Sequence, residues 1–125
     1  MGIEIQKQVF IVDDNDANLT MEASVLEEFF KVFTIPSAEK MFFLLGKKRA
    51  DLILLDVEMP EMSGFEAMAK LKENPDWKEI PVIFVTGWSD EKLIANAKKA
   101  GVLDIIKKPI VPSVLLECVK KNIGK

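Results

Sequence analysis

Short apolar runs recur along the chain, and each is bounded by polar or turn-forming residues. They cover residues 9–12, 52–55, 82–85 and 102–106, with a more mixed run at 32–35. Apolar runs of this length are typical of strands that are buried on both faces, as in parallel sheets. The pattern therefore predicts five buried strands.

Between these runs, apolar residues recur at helical spacing and predict helices that pack one stripe against the sheet. The stripes contain Leu19, Ala23, Leu26 and Phe30 in the first helix, Phe65, Met68 and Leu71 in the third, and Leu93, Ala97 and Ala100 in the fourth. The second helix is predicted to be capped by Ser37 and to end at about Leu45, followed by Gly46, and the third is predicted to end at Asn74-Pro75. The fourth is predicted to be capped by Ser89 or Asp90 and stopped by Gly101, and Pro112 is predicted to lie in the first turn of the fifth.

Every predicted strand is followed by a predicted helix through a short connection. The whole chain, residues 1–125, is therefore predicted to form one domain of five βα units. This alternation builds the α/β class of doubly wound parallel sheet with helices on both faces, a flavodoxin-like architecture. The pattern alone leaves the strand order open, but the order 2-1-3-4-5 would bring the ends of strands one and three together.

Five polar or charged side chains stand directly behind the apolar runs. Asp13 and Asp14 follow the first run, Asp56 follows the third, Thr86 follows the fourth, and Lys108 comes just after the fifth. In open α/β sheets, ligands bind at the edge where the carboxyl ends of the strands meet. The pattern therefore predicts a site together with a fold.

The three carboxylates of this site would need compensation if they converge. Like charges about 4–5 Å apart repel by roughly 3–4 kcal/mol at an effective dielectric near 20, so a cation, Lys108 or a bound proton must offset them. Carboxylate oxygens suit Mg²⁺, which often bridges to phosphate. With an ammonium and a hydroxyl nearby, the pocket would bind a phosphoryl group, and one carboxylate could form an aspartyl phosphate.

Composition narrows the classes of function. The chain has a net charge of −3 and no histidine, which excludes histidine-based catalysis and gives no basic field for nucleic acid. The single cysteine, Cys118, lies in an apolar stretch and is predicted to be a buried thiol. No apolar run has the length of a membrane span and no secretory signal is present, so we expect a cytoplasmic protein without membrane contact.

Taken together, the motifs resemble the receiver domain of two-component response regulators, and in particular the chemotaxis-regulator type. The resemblance covers essentially all 125 residues and rests on the segments Val12-Asp13-Asp14-Asn15, Leu54-Leu55-Asp56, Met59-Pro60, Ser63-Gly64, Val85-Thr86-Gly87 and Lys108-Pro109. The spacings match those of the family, with 30 residues from Asp56 to Thr86 and 22 from Thr86 to Lys108. Each motif alone is common, but the ordered set is specific.

The resemblance implies a role for each matching residue. Asp56 would accept a phosphoryl group from a phosphohistidine of a histidine kinase or a histidine phosphotransfer protein. Mg²⁺, or Mn²⁺, would be held by Asp13, Asp14, Asp56 and the backbone carbonyl of Glu58. Lys108 would pair with Asp56, and Thr86 with Gly87 would bind the phosphoryl group and move the following loop. The peptide bond before Pro109 would be cis. Lys107 competes for the role of Lys108, but the spacing and the following proline favour Lys108.

One position, Ile105, departs from the family pattern, and the effect of the residue at another, Glu58, stays open. Receivers usually carry Tyr or Phe three residues before the site lysine, and this chain has Ile105, which is stiff at χ1 and has no polar tip. Trp88, on the loop after Thr86, is a candidate to report the switch instead. Glu58 stands where receivers tune their dephosphorylation rate, and the direction of its effect stays open.

The resemblance implies a signalling switch that is not an enzyme beyond its own phosphotransfer and dephosphorylation. Its output would be a downstream protein or output domain, reached through the face formed by helix four, strand five and helix five, where a homodimer could also form. The main alternative is a pseudo-receiver that binds partners without phosphorylation. An aspartyl-phosphate phosphatase of the haloacid dehalogenase type is disfavoured because Glu58, not Asp, stands two residues after Asp56. A flavin site and a nucleotide triphosphatase are disfavoured because the expected phosphate loops are missing from the sequence.

Overall fold

A computed structural model describes residues 6–88 and 90–123. Strands and helices alternate along the chain as the apolar pattern predicted. The strands are β1 (Gln8–Val12), β2 (Lys31–Ile35), β3 (Leu52–Asp56), β4 (Val82–Thr86) and β5 (Asp104–Lys107). The helices are α1 (Asp16–Leu26), α2 (Ala38–Leu45), α3 (Gly64–Glu73), α4 (Glu91–Ala100) and α5 (Pro112–Asn122).

The five strands form one parallel sheet in the order β2-β1-β3-β4-β5. The sequence left this order open, and the order that brings strands one and three together is the one observed. The predicted fold class, a doubly wound (βα)5 domain of flavodoxin-like architecture, is confirmed. Because β1 and β3 are neighbours, the chain reverses its winding direction between them, and a crevice opens at their carboxyl ends.

Alternate strand residues point into two separate apolar cores, one on each face of the sheet. On β1, Phe10 and Val12 belong to the core beneath α2, α3 and α4, whereas Val9 and Ile11 belong to the core beneath α1 and α5. These four of the five residues of β1 are each 1% exposed or less. Burial on both faces explains why these strands appear as continuous apolar runs instead of alternating ones.

The predicted caps account for most helix boundaries. Ser37 caps α2, Asp90 caps α4, and Gly101 ends α4 with a positive φ of 96° that a glycine adopts without strain. Ser89, the other candidate cap of α4, lies outside the described residues. Gly46 also ends α2 as predicted, although its backbone stays right-handed helical.

Two predicted boundaries differ from the structure by more than one residue. Helix α1 ends at Leu26, so Phe30 lies beyond the helix, yet its side chain is only 8% exposed and packs in the same core. Strand β5 begins at Asp104 instead of at residue 102.

Cys118 is buried as predicted, and burial raises the pKa of its thiol to about 12. Within residues 6–88 and 90–123, no helix combines the length and the apolar character needed to cross a membrane.

Candidate functional site

The strand register brings the predicted site residues to one edge of the sheet. Val12 lies opposite Leu55 across the β1–β3 pair, so the residues that follow them, Asp13 and Asp56, emerge side by side. Asp56 lies opposite Val85, which places Thr86 one step further along the neighbouring strand. The site is therefore built at the topological switch point of the sheet.

Asp13, Asp14 and Asp56 converge as expected from this strand order. One carboxylate oxygen from each lies within 4.8 Å of the other two. Asp13 and Asp56 are each 1% exposed, whereas Asp14 faces solvent. The cluster thus has two buried carboxylates and one open to incoming ligands.

Asp13 is held in place by the start of helix α1. Its Oδ1 accepts a hydrogen bond from the Asn15 backbone N–H at 2.9 Å, and its Oδ2 accepts one from the Asn18 side-chain amide at 3.2 Å. Asn15 is also the N-cap of α1, where its side chain accepts from the Asn18 backbone. Asn18 was not among the predicted site residues, although its spacing of five residues from Asp13 in the first turns of a helix could have indicated it.

Lys108 reaches into the cluster from the end of β5. Its Nζ lies 3.0 Å from Asp56 Oδ1 and 3.5 Å from Asp13 Oδ2, so one ammonium contacts both buried carboxylates. Lys107 is exposed on the other side of the strand, which agrees with the preference for Lys108. The Lys108–Pro109 peptide bond is cis.

A single ammonium does not fully compensate the buried charge. Burial raises the pKa of Asp56 to about 6, while the hydrogen bond from Lys108 opposes that rise and the charges of Asp13 and Glu58 add to it. Burial alone would lower the pKa of Lys108, but its contacts with Asp56 and Asp13 outweigh burial and raise it. The excess negative charge makes the site a favourable one for a further cation.

The donor set fits a hard divalent cation such as Mg²⁺. All three side chains offer carboxylate oxygens, and the raised pKa of Asp56 indicates negative charge that a cation would stabilise. Mg²⁺ is bound in proteins through a few carboxylates and keeps several waters, which the exposed side of Asp14 would admit. Asp13, Asp14 and Asp56 are therefore the residues that would hold the metal.

On the other side of Asp56, the side chain of Glu58 contacts the loop after β4. The buried Thr86 hydroxyl donates to Glu58 Oε2 at 2.8 Å, and the Gly87 N–H donates to Glu58 Oε1 at 3.2 Å. The Trp88 N–H in turn donates to Thr86 Oγ1 at 3.0 Å. The family resemblance implied a metal contact of the Glu58 backbone carbonyl and left the effect of its side chain on dephosphorylation open, but it gave no sign of this contact with Thr86.

The loop that follows Asp56 is fixed by close packing and a helix cap. The Gly64 N–H donates to the Val57 carbonyl at 2.9 Å, and a Cβ on Gly64 would lie 2.7 Å from the Asp56 carbonyl oxygen. Ser63 and Glu66 form a capping box at the start of α3. Only glycine permits this approach, so the Ser63-Gly64 motif positions the backbone beside the site.

The two residues considered for readout lie together at the surface beside this site. Trp88 is 62% exposed, and Ile105 is half-buried against the core beneath α4. Both line a cavity of about 330 Å³ between α4 and β5 that also contacts Ile94 and Lys98. The structure therefore places Trp88 and Ile105 along the same cavity, with Trp88 two residues after Thr86.

The sheet and its carboxyl-edge pocket define an α/β protein of the flavodoxin-like class. Residues 9–120 match the family model of the response regulator receiver domain. The chain belongs to this family, as its sequence motifs indicated. It is thus a receiver domain of two-component signalling, and receiver domains act as phosphorylation-dependent switches that typically bind Mg²⁺ at an acidic pocket.

Individual relatives support the same assignment. The chain is 34% identical over 105 residues to a probable cyclic di-GMP phosphodiesterase of Vibrio cholerae, covering 84% of this chain and 24% of that protein. It is 30% identical to the polar-differentiation response regulator DivK of Brucella anthropi over 94% of this chain and 97% of that one. The structure of the Vibrio cholerae chemotaxis protein CheY4 superposes with a TM-score of 0.90 at 25% identity, covering 95% of this chain and all of that chain.

The first curated relatives are much longer than the sequence described. The chain spans about a quarter of their length. The activities in their names belong to those proteins, whereas the matching part here is the receiver alone.

Proposed function

We propose that Asp56 is the phosphoacceptor of this receiver and takes its phosphoryl group from a phosphohistidine of a histidine kinase or phosphotransfer protein. The observation that carries the proposal is the environment of Asp56. Its carboxylate is 1% exposed, lies 3.0 Å from the Lys108 ammonium and shares a pocket with two further carboxylates at the sheet edge. Response regulators as a family interact with histidine kinases and output domains, which supports this class of donor.

In the proposed reaction, an Asp56 carboxylate oxygen attacks phosphorus in line with the phosphorus–nitrogen bond of the donor. The new P–O bond forms as the P–N bond breaks, and the bond electrons leave with the imidazole. Lys108 orients Asp56 by holding its Oδ1, so the second oxygen is the one available to attack. A bound Mg²⁺ or Mn²⁺ would neutralise charge on the phosphoryl oxygens. The residues contribute mainly position and electrostatics, as expected for phosphoryl transfer.

The phosphorylated state would be sensed by Thr86 and Gly87. The Thr86 hydroxyl and the Gly87 N–H both point toward the acidic side of the pocket, where they donate to Glu58 in the unmodified protein. A phosphoryl group on Asp56 offers these donors a new acceptor and draws the loop inward. The movement would change the face formed by α4, β5 and α5, through which a downstream protein, an output domain or a second copy would bind.

Intact-mass spectrometry after incubation with acetyl phosphate and Mg²⁺ tests the proposal. We expect a single phosphoryl adduct in the wild-type chain, no adduct in Asp56→Asn, and no adduct when EDTA removes the metal. Asp76→Asn, an exposed carboxylate in the α3–β4 connection, is the matched control and should be modified like wild type. Absence of any adduct on the wild-type chain would favour a pseudo-receiver that acts only by binding partners.

A further inference from the structure

We propose that the Glu58 side chain is an internal competitor of the phosphoryl group, holding the Thr86 hydroxyl at the end of β4 and the Gly87 N–H that follows it until the phosphoryl group displaces it. This inference rests on the proposed function, because it assigns a regulator to the same pocket. Glu58 Oε2 accepts from the Thr86 hydroxyl at 2.8 Å and Glu58 Oε1 accepts from the Gly87 N–H at 3.2 Å. Both oxygens of one carboxylate thus contact the two groups that would receive the phosphoryl oxygens.

The number of protons makes the two states mutually exclusive. A threonine hydroxyl has one proton to donate, and a backbone amide has one. The hydroxyl oxygen of Thr86 accepts from the Trp88 N–H at 3.0 Å with one lone pair, and its single proton is donated to Glu58 at 2.8 Å. Thr86 and Gly87 therefore cannot donate in full to Glu58 and to a phosphoryl group at the same time.

Charge and exposure allow the exchange to be reversible. A carboxylate and a phosphoryl group are both anions whose oxygens accept hydrogen bonds, so Glu58 accepts from Thr86 and Gly87 in the way that phosphorylated Asp56 would. Glu58 is exposed at the surface of the pocket, and its side chain can move into solvent when a second anion arrives. Its negative charge also acts on Asp56, since it contributes to the raised pKa of that group.

The consequence is a higher threshold for activation. Part of the binding free energy of the phosphoryl group with Thr86 and Gly87 is spent in releasing Glu58. Removing the Glu58 carboxylate should therefore strengthen binding of a phosphoryl analogue, whereas a residue that only supported the loop would weaken binding when removed. The sign of the change separates the two roles.

The experiment measures beryllofluoride binding to the full chain in saturating Mg²⁺ by isothermal titration calorimetry. We expect about tenfold tighter binding for Glu58→Ala, equivalent to about 1.4 kcal/mol, and a smaller gain for Glu58→Gln, whose amide oxygen can still accept from Thr86. Glu61→Gln is the matched control, because it removes one negative charge from the same loop. It should bind as wild type does.

A double-mutant cycle assigns the effect to the contact with Thr86. In a Thr86→Ala background, the gain in beryllofluoride affinity from Glu58→Ala should shrink. The Glu58 carboxylate and the phosphoryl analogue then compete only for the Gly87 N–H. Wild-type or weaker beryllofluoride binding by Glu58→Ala would overturn the proposal. So would an equal gain for Glu61→Gln, which would indicate a general effect of charge.

A readout without any phosphoryl analogue keeps this proposal separable from the proposed function. In ¹H–¹⁵N spectra of the unmodified chain, Glu58→Ala should shift the Gly87 amide proton upfield as its hydrogen bond is lost, and Glu61→Gln should leave that proton in place. If the wild-type chain takes neither phosphoryl group nor beryllofluoride while this shift occurs, the proposed function fails although the contact exists. An unmoved Gly87 signal in Glu58→Ala would refute the contact itself.

Discussion

Glu22 is a buried carboxyl group that the site does not use, and its ionisation should make the fold less stable as the pH rises. It lies on the inward stripe of α1 between Leu19 and Leu26 and is 1% exposed. Among the residues that the structure describes, its Oε2 has no hydrogen-bond partner. Burial, followed by the charge of Asp13, raises its pKa from 4.5 to about 8, against the opposing effect of Lys108.

The sign of the effect follows from proton binding in the two states. Between pH 4.5 and about 8, folded Glu22 keeps its proton while the unfolded chain has lost it. The folded state binds more protons in this window, so the free energy of unfolding falls as the pH rises. Each pH unit in the window costs about 1.4 kcal/mol, which gives a loss of about 3 kcal/mol at pH 7 that levels off above pH 8.

Urea unfolding followed by tryptophan fluorescence, in EDTA and at pH 6.5 to 8, measures this loss. Because burial raises the pKa of Asp56 to about 6, Asp56 contributes mainly below this range, and Glu22 dominates within it. We expect the free energy of unfolding of the wild-type chain to fall by about 2 kcal/mol across the range. Glu22→Gln and Glu22→Leu should flatten the profile and stabilise the chain at pH 8. Glu28→Gln, an exposed glutamate just after α1, should keep the wild-type slope.

Two results would refute this reasoning. A flat wild-type profile between pH 6.5 and 8 would mean that Glu22 does not change its protonation there. A slope that survives in both Glu22 variants would mean that another group titrates. Glu22→Leu also fills the same space with an apolar side chain, so its failure to stabilise at pH 8 would indicate that the carboxylate is solvated in the folded state.

The remaining predictions concern the pocket and its supporting loop. Mg²⁺ should raise the melting temperature because it relieves carboxylate repulsion only in the folded state, and Asp14→Asn should blunt that rise. In EDTA, Lys108→Ala should raise the pKa of Asp56 above about 6 in a carboxyl ¹³C titration, since it removes the group that opposes the rise. Gly64→Ala should lower the melting temperature because its Cβ would lie 2.7 Å from the Asp56 carbonyl, whereas Gly46→Ala, with its nearest contact at 3.4 Å, should not. Ser63→Ala should cost about 1 kcal/mol in urea unfolding through loss of the capping box. The role of Asp14 in metal binding would be contradicted if Asp14→Asn kept the full Mg²⁺ response, and the role of Lys108 if its removal left the pKa of Asp56 unchanged or lower. Equal melting temperatures of the two glycine variants would contradict the close approach at Gly64, and a Ser63→Ala variant as stable as wild type would contradict the capping box.

The helices, strands and caps were predictable because their signals are local. Burial on both faces leaves continuous apolar runs, and a cap such as Ser37 needs only the backbone of its own helix. Lys108 was separable from Lys107 by spacing and by strand alternation, and the structure places it 3.0 Å from Asp56. The α1 boundary was wrong because Phe30 continues the apolar stripe into the core after the helix itself has ended.

The apolar runs of the chain already show which residues stand at the ends of the strands, and with them the carboxylates, the hydroxyl and the ammonium of the pocket. The strand order that brings Asp13 beside Asp56 depends instead on tertiary packing, because pairing between strands distant in sequence has no local signal. The same packing brings the Glu58 side chain to Thr86 across 28 residues of chain, and it buries Glu22 with an Oε2 that has no hydrogen-bond partner in the part of the chain that the structure describes. Long-range contacts of this kind depend on where whole elements pack, so the sequence supplied the groups of the site and the fold decided which of them meet.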